Sequence, residues 1–205
     1  MGLAYSTTYG YDALDDLTTV TQGTQTRSFS YDALKRLTQA TNPESGPINY
    51  SLYDANSNLL QKTDARGITT TYVYDALNRL TSRTYTNDPQ NTPAVSYKYD
   101  GQSPPTGAPS FERGASTGRL VAVTHGGTSA GTYTGYDQLG RVNVSVQQTD
   151  SQNYGFGYGY NLASEMTTET YPSGRVITSG FDTSGRLSSV NGQKTASQTR
   201  PTHRS

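Results

Sequence analysis

Cysteine is absent from this 205-residue chain. Without thiols there are no disulfides, no thiolate zinc sites and no cysteine nucleophile, and the redox compartment stays open. An excess of one charge is lacking too. Sixteen basic residues offset sixteen acidic ones, so no global field draws the chain to nucleic acid or to an anionic membrane. No run approaches the roughly 18 apolar residues of a spanning helix, so membrane insertion is not expected. The opening stretch MGLAYSTTYG has neither the charged nor the apolar segment of a secretory signal. Helix signals are nearly missing, and aliphatic bulk is scarce. Leu, Ile, Val and Phe number 31 of 205 residues, below the share at which a charged chain is expected to be disordered.

Tyrosine is what the chain has instead, with 17 residues. A tyrosine joins a large apolar ring to a polar tip, so it lines a half-wet sheet without needing a deep dry interior. With zero net charge, that composition fits a thin or hollow sheet structure better than a solid globule.

The tyrosines recur in a pattern. The stretch YDQLGRV, residues 136–142, has counterparts opening at Tyr11-Asp12, Tyr31-Asp32, Tyr53-Asp54, Tyr74-Asp75, Tyr160-Asn161 and Phe181-Asp182. An eighth copy opens at Tyr99-Asp100, and an insertion at 101–117 displaces its second half, Gly118-Arg119-Leu120. Successive starts lie 20, 22, 21, 25, 37, 24 and 21 residues apart, the signature of a repeat array. Another aromatic often stands two residues earlier (Tyr9, Phe29, Tyr72, Tyr97, Tyr158), which is strand periodicity. Three loop residues follow the aspartate, the last being Asp15, Lys35, Ser57, Asn78, Gly140, Ser164 or Gly185. A three-residue hairpin with a bulge needs a left-handed residue there. Lys35 and the serines suit that position less well than Gly, Asn or Asp.

This geometry sets Asp75 opposite Arg79 and Tyr74 opposite Leu80. The aspartate then caps turn N–H groups and faces an arginine, as at Arg36, Arg79, Arg141 and Arg186. Such cross-strand charge pairs contribute about 0.2–1 kcal/mol when exposed. Where Glu165 replaces the arginine, Asn161 replaces the aspartate, so two acids do not face each other. Asp12 and Asp16 break this rule. Return turns follow at TQG (21–23), NPESG (42–46), DARG (64–67) and YPSGR (171–175), so about 21 residues make two strands and two turns. The fold class is all-β, an antiparallel meander or spiral of hairpins, with Tyr and Leu toward neighbouring repeats and Asp, Arg and Thr toward water.

The Tyr-Asp starts, the Gly-Arg-Leu/Val after the turn and the DARG-type return resemble the YD repeats of the Rhs family. Those repeats also occur in teneurins and in the C component of insecticidal toxin complexes. The resemblance spans roughly residues 5–190 and implies a β-sheet spiral closing into a hollow shell. In bacterial members the shell encloses a C-terminal toxin; in teneurins it scaffolds adhesion between cells. It also implies a bacterial secreted or cell-surface setting, and partners in the rest of a larger shell or its cargo. The family's closing Asp-Pro-x-Gly segment has no counterpart, since Asp88-Pro89 continues into Gln90-Asn91, and no cleavage residue is carried over. Residues 1–190 are therefore expected to form the array. Residues 191–205, basic and without aromatic alternation, form a disordered tail whose deletion should change little. A piece of a larger Rhs gene without a function of its own is one alternative.

Catalytic readings are thin. Of the two histidines, His125 lies beside a Gly-rich turn and His203 in the tail, and neither adjoins a nucleophile motif. DANSN (54–58) starts like a calcium loop, but Leu59 and Ala65 stand where Gly and Glu are required. GFGYGY has Tyr160 in place of the third glycine of a dinucleotide fingerprint. Neither a cofactor nor a metal is expected. The motif residues Tyr11, Asp12, Tyr31, Asp32, Arg36, Tyr53, Asp54, Tyr74, Asp75, Arg79, Tyr99, Asp100, Tyr136, Asp137, Gly140, Arg141, Phe181, Asp182, Gly185 and Arg186 are structural, and the protein is not expected to be an enzyme. Phe111, the one aromatic of the insertion, is the candidate for docking a partner or the shell interior. Surface binding through tyrosines stacked on carbohydrate is the alternative function. Open strand edges should favour self-association.

Overall fold

The structure is a computed structural model and describes residues 6–102, 109–126 and 130–194. The chain divides into two compact units, Met1–Val95 and Ser96–Ser205. The first holds β1 (Thr7–Tyr11), β2 (Leu17–Gln22), β3 (Gln25–Tyr31), β4 (Leu37–Asn42), β5 (Gly46–Tyr53), β6 (Leu59–Thr63), β7 (Thr69–Tyr74) and β8 (Leu80–Thr86). The second holds β9 (Val95–Tyr99, counted here although Val95 closes the first unit), β10 (Leu120–His125), β11 (Ala130–Tyr136) and β12 (Val142–Thr149). Its last four strands are β13 (Gln152–Tyr160), β14 (Met166–Thr170), β15 (Arg175–Phe181) and β16 (Leu187–Lys194). Within each unit, strands follow one another in the sheet in chain order, and the pairings are antiparallel. The expected all-β hairpin array is what forms. Thr-rich strands and short turns supply β propensity and reversal every five to nine residues.

Each repeat turn takes the expected form. Tyr74 pairs with Leu80, and Tyr11, Tyr31, Tyr53, Tyr136, Tyr160 and Phe181 pair with Leu17, Leu37, Leu59, Val142, Met166 and Leu187. The last loop residue is left-handed throughout: Asp15 (φ 63°), Asn78 (φ 59°) and Gly140 (φ 77°), but also Lys35 (φ 62°), Ser57 (φ 64°) and Ser164 (φ 67°). The turn imposes that geometry even on side chains that disfavour it. A second irregularity was not legible in the spacing. One residue after the paired leucine is skipped by the ladder, so Gly10 pairs with Thr19 while Tyr11 pairs with Leu17. The skipped residue is Thr18, and its equivalents include Thr38, Thr81 and Thr167. Thr18 and Thr81 turn their hydroxyls onto the carbonyls of Gly10 and Val73, each at 3.1 Å. The extra residue bends the strand and sharpens its twist.

Dry interior is small. In the first unit Ala40, Ile68 and Thr70 are buried. The second unit buries Val121, Ala122, Thr124, Tyr133, Val146 and Gln148, with Tyr133 and Val121 completely enclosed. The Tyr133 hydroxyl meets Gln148 Oε1 at 3.2 Å, which satisfies both polar groups inside the cluster.

The inserted segment closes this cluster. Phe111 packs on the Tyr133 ring with centroids 5.8 Å apart and, like Val144, lies against the cluster of Ala122, Tyr133 and Val146. Gly114 forms a parallel bridge with Tyr136, fixed by Tyr136 N–H donating to Arg113 C=O (3.1 Å) and Ala115 N–H to Tyr136 C=O (3.2 Å). The approach needs glycine on both sides. A Cβ on Gly135 would stand 2.0 Å from the Glu112 carbonyl, and one on Gly114, which has φ +57°, 1.7 Å from the Tyr136 carbonyl.

Two sequence expectations are revised. Asp and Arg of the motif do not simply face water: Asp75 and Arg79 each expose only a quarter or less of the side chain. Apolar Leu34 and Leu77 at the loop apex are the solvent-facing residues, at 70% and 69%. The array also runs past residue 190, because β16 continues to Lys194 with Asn191–Lys194 paired to Thr178–Arg175. Residues 195–205 lie outside the described residues. Gly135→Ala is expected to lower stability by about 1–3 kcal/mol through overpacking, and Phe111→Ala by about 2 kcal/mol through a half-filled cavity. Both are read from urea midpoints. Deleting 191–205 should also lower the midpoint, since it removes the end of a paired strand.

Candidate functional site

The repeat motif builds the only elaborate polar geometry common to both units among the described residues. Within one turn the aspartate does several jobs at once. Asp75 Oδ1 accepts the N–H of Leu77 (2.9 Å) and of Arg79 (3.0 Å), and Oδ2 accepts Arg79 Nε–H (2.8 Å). Its own N–H donates to the Arg79 carbonyl at 2.9 Å. Asp32 with Arg36, Asp137 with Arg141 and Asp182 with Arg186 repeat this set. Asp54 does the same with Asn58. Asn161 inverts it, accepting the Glu165 N–H and donating its amide to the Glu165 carboxylate. The exchange inferred from sequence is thus a bond with donor and acceptor swapped. Asp12 accepts the Leu14 and Asp16 N–H groups, and the second acid, Asp16, finds Lys35 of the next repeat 3.6 Å away. That cross-repeat lysine accounts for the Asp12–Asp16 exception.

The displaced copy is reassembled across its insertion. Asp100 N–H donates to the Arg119 carbonyl (3.1 Å), and Gly118 N–H donates to Asp100 Oδ1 (2.6 Å). Local turn chemistry therefore survives 17 extra residues.

A second set of bonds joins neighbouring repeats, and nothing in the residue spacing announces it. Four motif tyrosines reach back to the carbonyl after the preceding turn. Tyr31 Oη donates to Leu17 C=O (3.0 Å) and Tyr53 to Leu37 (2.6 Å) in the first unit. Tyr136 donates to Leu120 (2.7 Å) and Tyr160 to Val142 (2.9 Å) in the second. The arginine of the earlier repeat lies over the ring of the later tyrosine: Arg36 on Tyr53 at 4.8 Å, Arg119 on Tyr136 at 5.5 Å and Arg141 on Tyr160 at 4.6 Å. Arg141 also donates to the Asn161 carbonyl at 2.9 Å, and Arg36 to that of Asp54 at 3.4 Å. A cation over a ring contributes about 0.5–1 kcal/mol at a half-exposed site. Phe181 keeps the ring but has no hydroxyl to donate.

The electrostatics follow from these contacts. The Arg36 N–H holds Asp32 below the usual carboxylate value, and the Arg79 and Arg186 N–H groups do so for Asp75 and Asp182. Burial pushes Asp137 the other way, but the Arg141 hydrogen bonds outweigh it and the net direction is down. Burial raises Tyr53, Tyr136 and Tyr158, which keeps them protonated and able to donate.

The other sequence candidates are not drawn into this arrangement. His125 is exposed at the end of β10, and residues 127–129 and His203 lie outside the described residues. Phe111 is engaged in the unit's own core. A cleft of about 300 Å³ in the first unit is lined by Lys62, Asp64, Arg66, Ile68, Tyr85 and Asp88 among others. Its acids are turn caps: Asp64 binds Arg66 at 2.6 Å, and Asp88 accepts the Gln90 and Thr92 N–H groups at 3.0 and 2.7 Å. Among the described residues no group of three or more His, Cys, Asp or Glu is placed to hold a metal ion.

Tyr53→Phe removes one donor from a half-buried bond and should cost about 1 kcal/mol in a urea titration, whereas Tyr11→Phe, at an exposed edge, should cost the isolated fold almost nothing. Depressed aspartate pKa values make stability pH-dependent with a definite sign. Their contribution is complete above the unfolded carboxylate value of about 4 and is lost as pH falls through the lower folded values. The urea midpoint should hold from neutral pH to about 5 and then fall toward pH 2. A midpoint at pH 3 equal to that at neutral pH contradicts this.

Comparison with known proteins follows the same lines. The RHS Repeat family matches residues 11–46 and 53–90. No curated protein matches the chain. Among solved structures, the crystal structure of TcdB2-TccC3-Cdc42 aligns over 95% of this chain with a TM-score of 0.73 at 15% identity. TcdB2-TccC3 aligns over 95% with 0.73 at 14%. The Photorhabdus luminescens Tc holotoxin pore aligns over 91% with 0.62 at 14% identity. The chain spans only 11%, 11% and 12% of the lengths of those chains. Repeats, turn geometry and fold agree: residues 11–46 and 53–90 match the RHS Repeat, and the chain has the fold seen in the TcdB2-TccC3 structures.

Proposed function

We propose that the chain is a non-enzymatic structural module, a length of wall in a YD-repeat shell of the kind that encloses a toxin or other cargo. One observation carries this reading: the motif's functional groups are consumed by the chain itself. Both Asp75 oxygens and the Arg79 Nε are bonded within their turn, and the Tyr53 and Tyr160 hydroxyls go to the repeat before. Groups so engaged are positioned to hold neighbouring repeats, not to attack or polarise a substrate. A match to about a tenth of the TcdB2-TccC3 chain suits a patch of wall in a larger shell, where further repeats complete the enclosure around the cargo. A secreted or cell-surface setting goes with that role.

The test joins stability to activity. Circular dichroism through a urea titration should show a β spectrum, and Arg141→Ala should lower the midpoint by about 1 kcal/mol or more through its ring contact and cross-repeat bond. Hydrolase substrate screens should show no turnover; turnover abolished by His125→Ala overturns the reading. Glycan-array binding that survives Tyr→Phe but not Tyr→Ala changes replaces it with a surface-binding function.

A further inference from the structure

One row of the first unit's sheet crosses four strands, pairing Tyr50 with Lys62, Lys62 with Thr70 and Thr70 with Tyr85. Side chains in such a row share a face, and two strand spacings set Lys62 and Tyr85 about 10 Å apart. Thr70 between them is short and buried, which leaves a gap above it. That gap belongs to the cleft of about 300 Å³, where Ile48 and the buried Ile68 give an apolar side. The cleft's carboxylates are already engaged. Asp64 Oδ1 accepts the Arg66 and Ile68 N–H groups at 3.0 and 3.1 Å, and Oδ2 accepts Arg66 Nε–H and Nη2–H at 3.0 and 2.6 Å. Asp88 holds the Gln90 and Thr92 N–H groups, one on each oxygen. The donors facing the gap are not engaged. Among the described residues neither the Lys62 ammonium nor the Tyr85 hydroxyl has a hydrogen-bond or ion-pair partner. Arg83 lies over the Tyr85 ring at 5.5 Å, and its Nε is buried with no partner, so a second cation without an acid stands beside the gap.

We propose that this cleft takes the carboxylate of a glutamate side chain presented by a partner polypeptide. A carboxylate is acceptor-only, and the gap offers it a donor on each side: Lys62 Nζ–H to one oxygen, Tyr85 Oη–H to the other. The glutamate methylenes then lie on Ile48 and Ile68. Charge complementarity selects the occupant, because a carboxylate neutralises Lys62 where the cleft's own acids are held by Arg66 and by backbone N–H groups. A sugar is the poorer complement. Its hydroxyls must donate as well as accept, and the acceptors here are engaged in the turns. The inference concerns this cleft alone and does not depend on what the wall encloses.

The test uses the full chain and a small probe. N-acetylglutamate α-amide is titrated against the protein and followed by NMR chemical shifts, beside N-acetylglutamine α-amide and glucuronate. The glutamate probe should saturate and should bind at least about tenfold more tightly than its neutral isostere, and added salt should weaken it. Lys62→Gln should weaken binding about tenfold or more, and Lys62→Arg should restore it to within about threefold. Tyr85→Phe should cost about threefold to fivefold. Each variant is first checked for the wild-type urea midpoint, and if Lys62→Gln does not fold, Lys62→Arg and Tyr85→Phe carry the test. The proposal is overturned by a glutamate probe that does not saturate, by equal binding of the glutamine probe, or by binding that Lys62→Gln or Tyr85→Phe leaves unchanged. Glucuronate binding more tightly than the glutamate probe overturns it too, in favour of a sugar acid.

Discussion

A tyrosine hydroxyl reaching one repeat back to a post-turn carbonyl is the interaction on which the array depends. The carbonyl sits where the strand emerges from a bulged turn, so it needs a donor from outside its own hairpin. Tyr31, Tyr53, Tyr136 and Tyr160 supply it. The ring that carries the hydroxyl is in turn covered by an arginine at Tyr53, Tyr136 and Tyr160. Arg36 and Arg141 are aimed by Asp32 and Asp137 of their own turns, and Arg119 by the Ala115 and Thr117 carbonyls. Aspartate orders arginine, arginine covers tyrosine, and tyrosine closes the carbonyl.

This chain of dependence explains how so little aliphatic residue suffices. Each repeat contributes half-buried rings and engaged polar groups rather than a thick dry layer, and its stability comes from contacts with the repeat before and the repeat after. The second unit adds a different device. There the insertion carries Phe111 onto Tyr133, and Gly114 and Gly135 let two backbones meet where a methyl group would clash. A segment that looks like an interruption in sequence serves as a local lid on the unit's core.

Much of this was legible in the residues. The period, the left-handed third loop position, the Tyr74–Leu80 pairing and the Asp75–Arg79 bond all follow from contacts spanning at most six residues. The Asn161–Glu165 exchange was readable for the same reason. The skipped threonine was less so, although Thr18, Thr38, Thr81 and Thr167 recur one place after the paired residue and could have announced it. Asp16 needed Lys35, a partner 19 positions away, and Phe111 needed a sheet face built from strands on its far side. The β16 boundary was missed because Asn191, Gly192 and Gln193 carry no aromatic alternation, yet their backbones pair as well as any others.

Sequence by itself determined the repeat, the all-β class and the chemistry of most repeat turns, because an aspartate caps its own loop through neighbours it always has. Only the tertiary structure decided which repeat each bonded tyrosine reaches and which surface the inserted segment covers. Those depend on the offset between strands that the chain brings together, and an offset is a property of the assembled sheet rather than of any one segment of it.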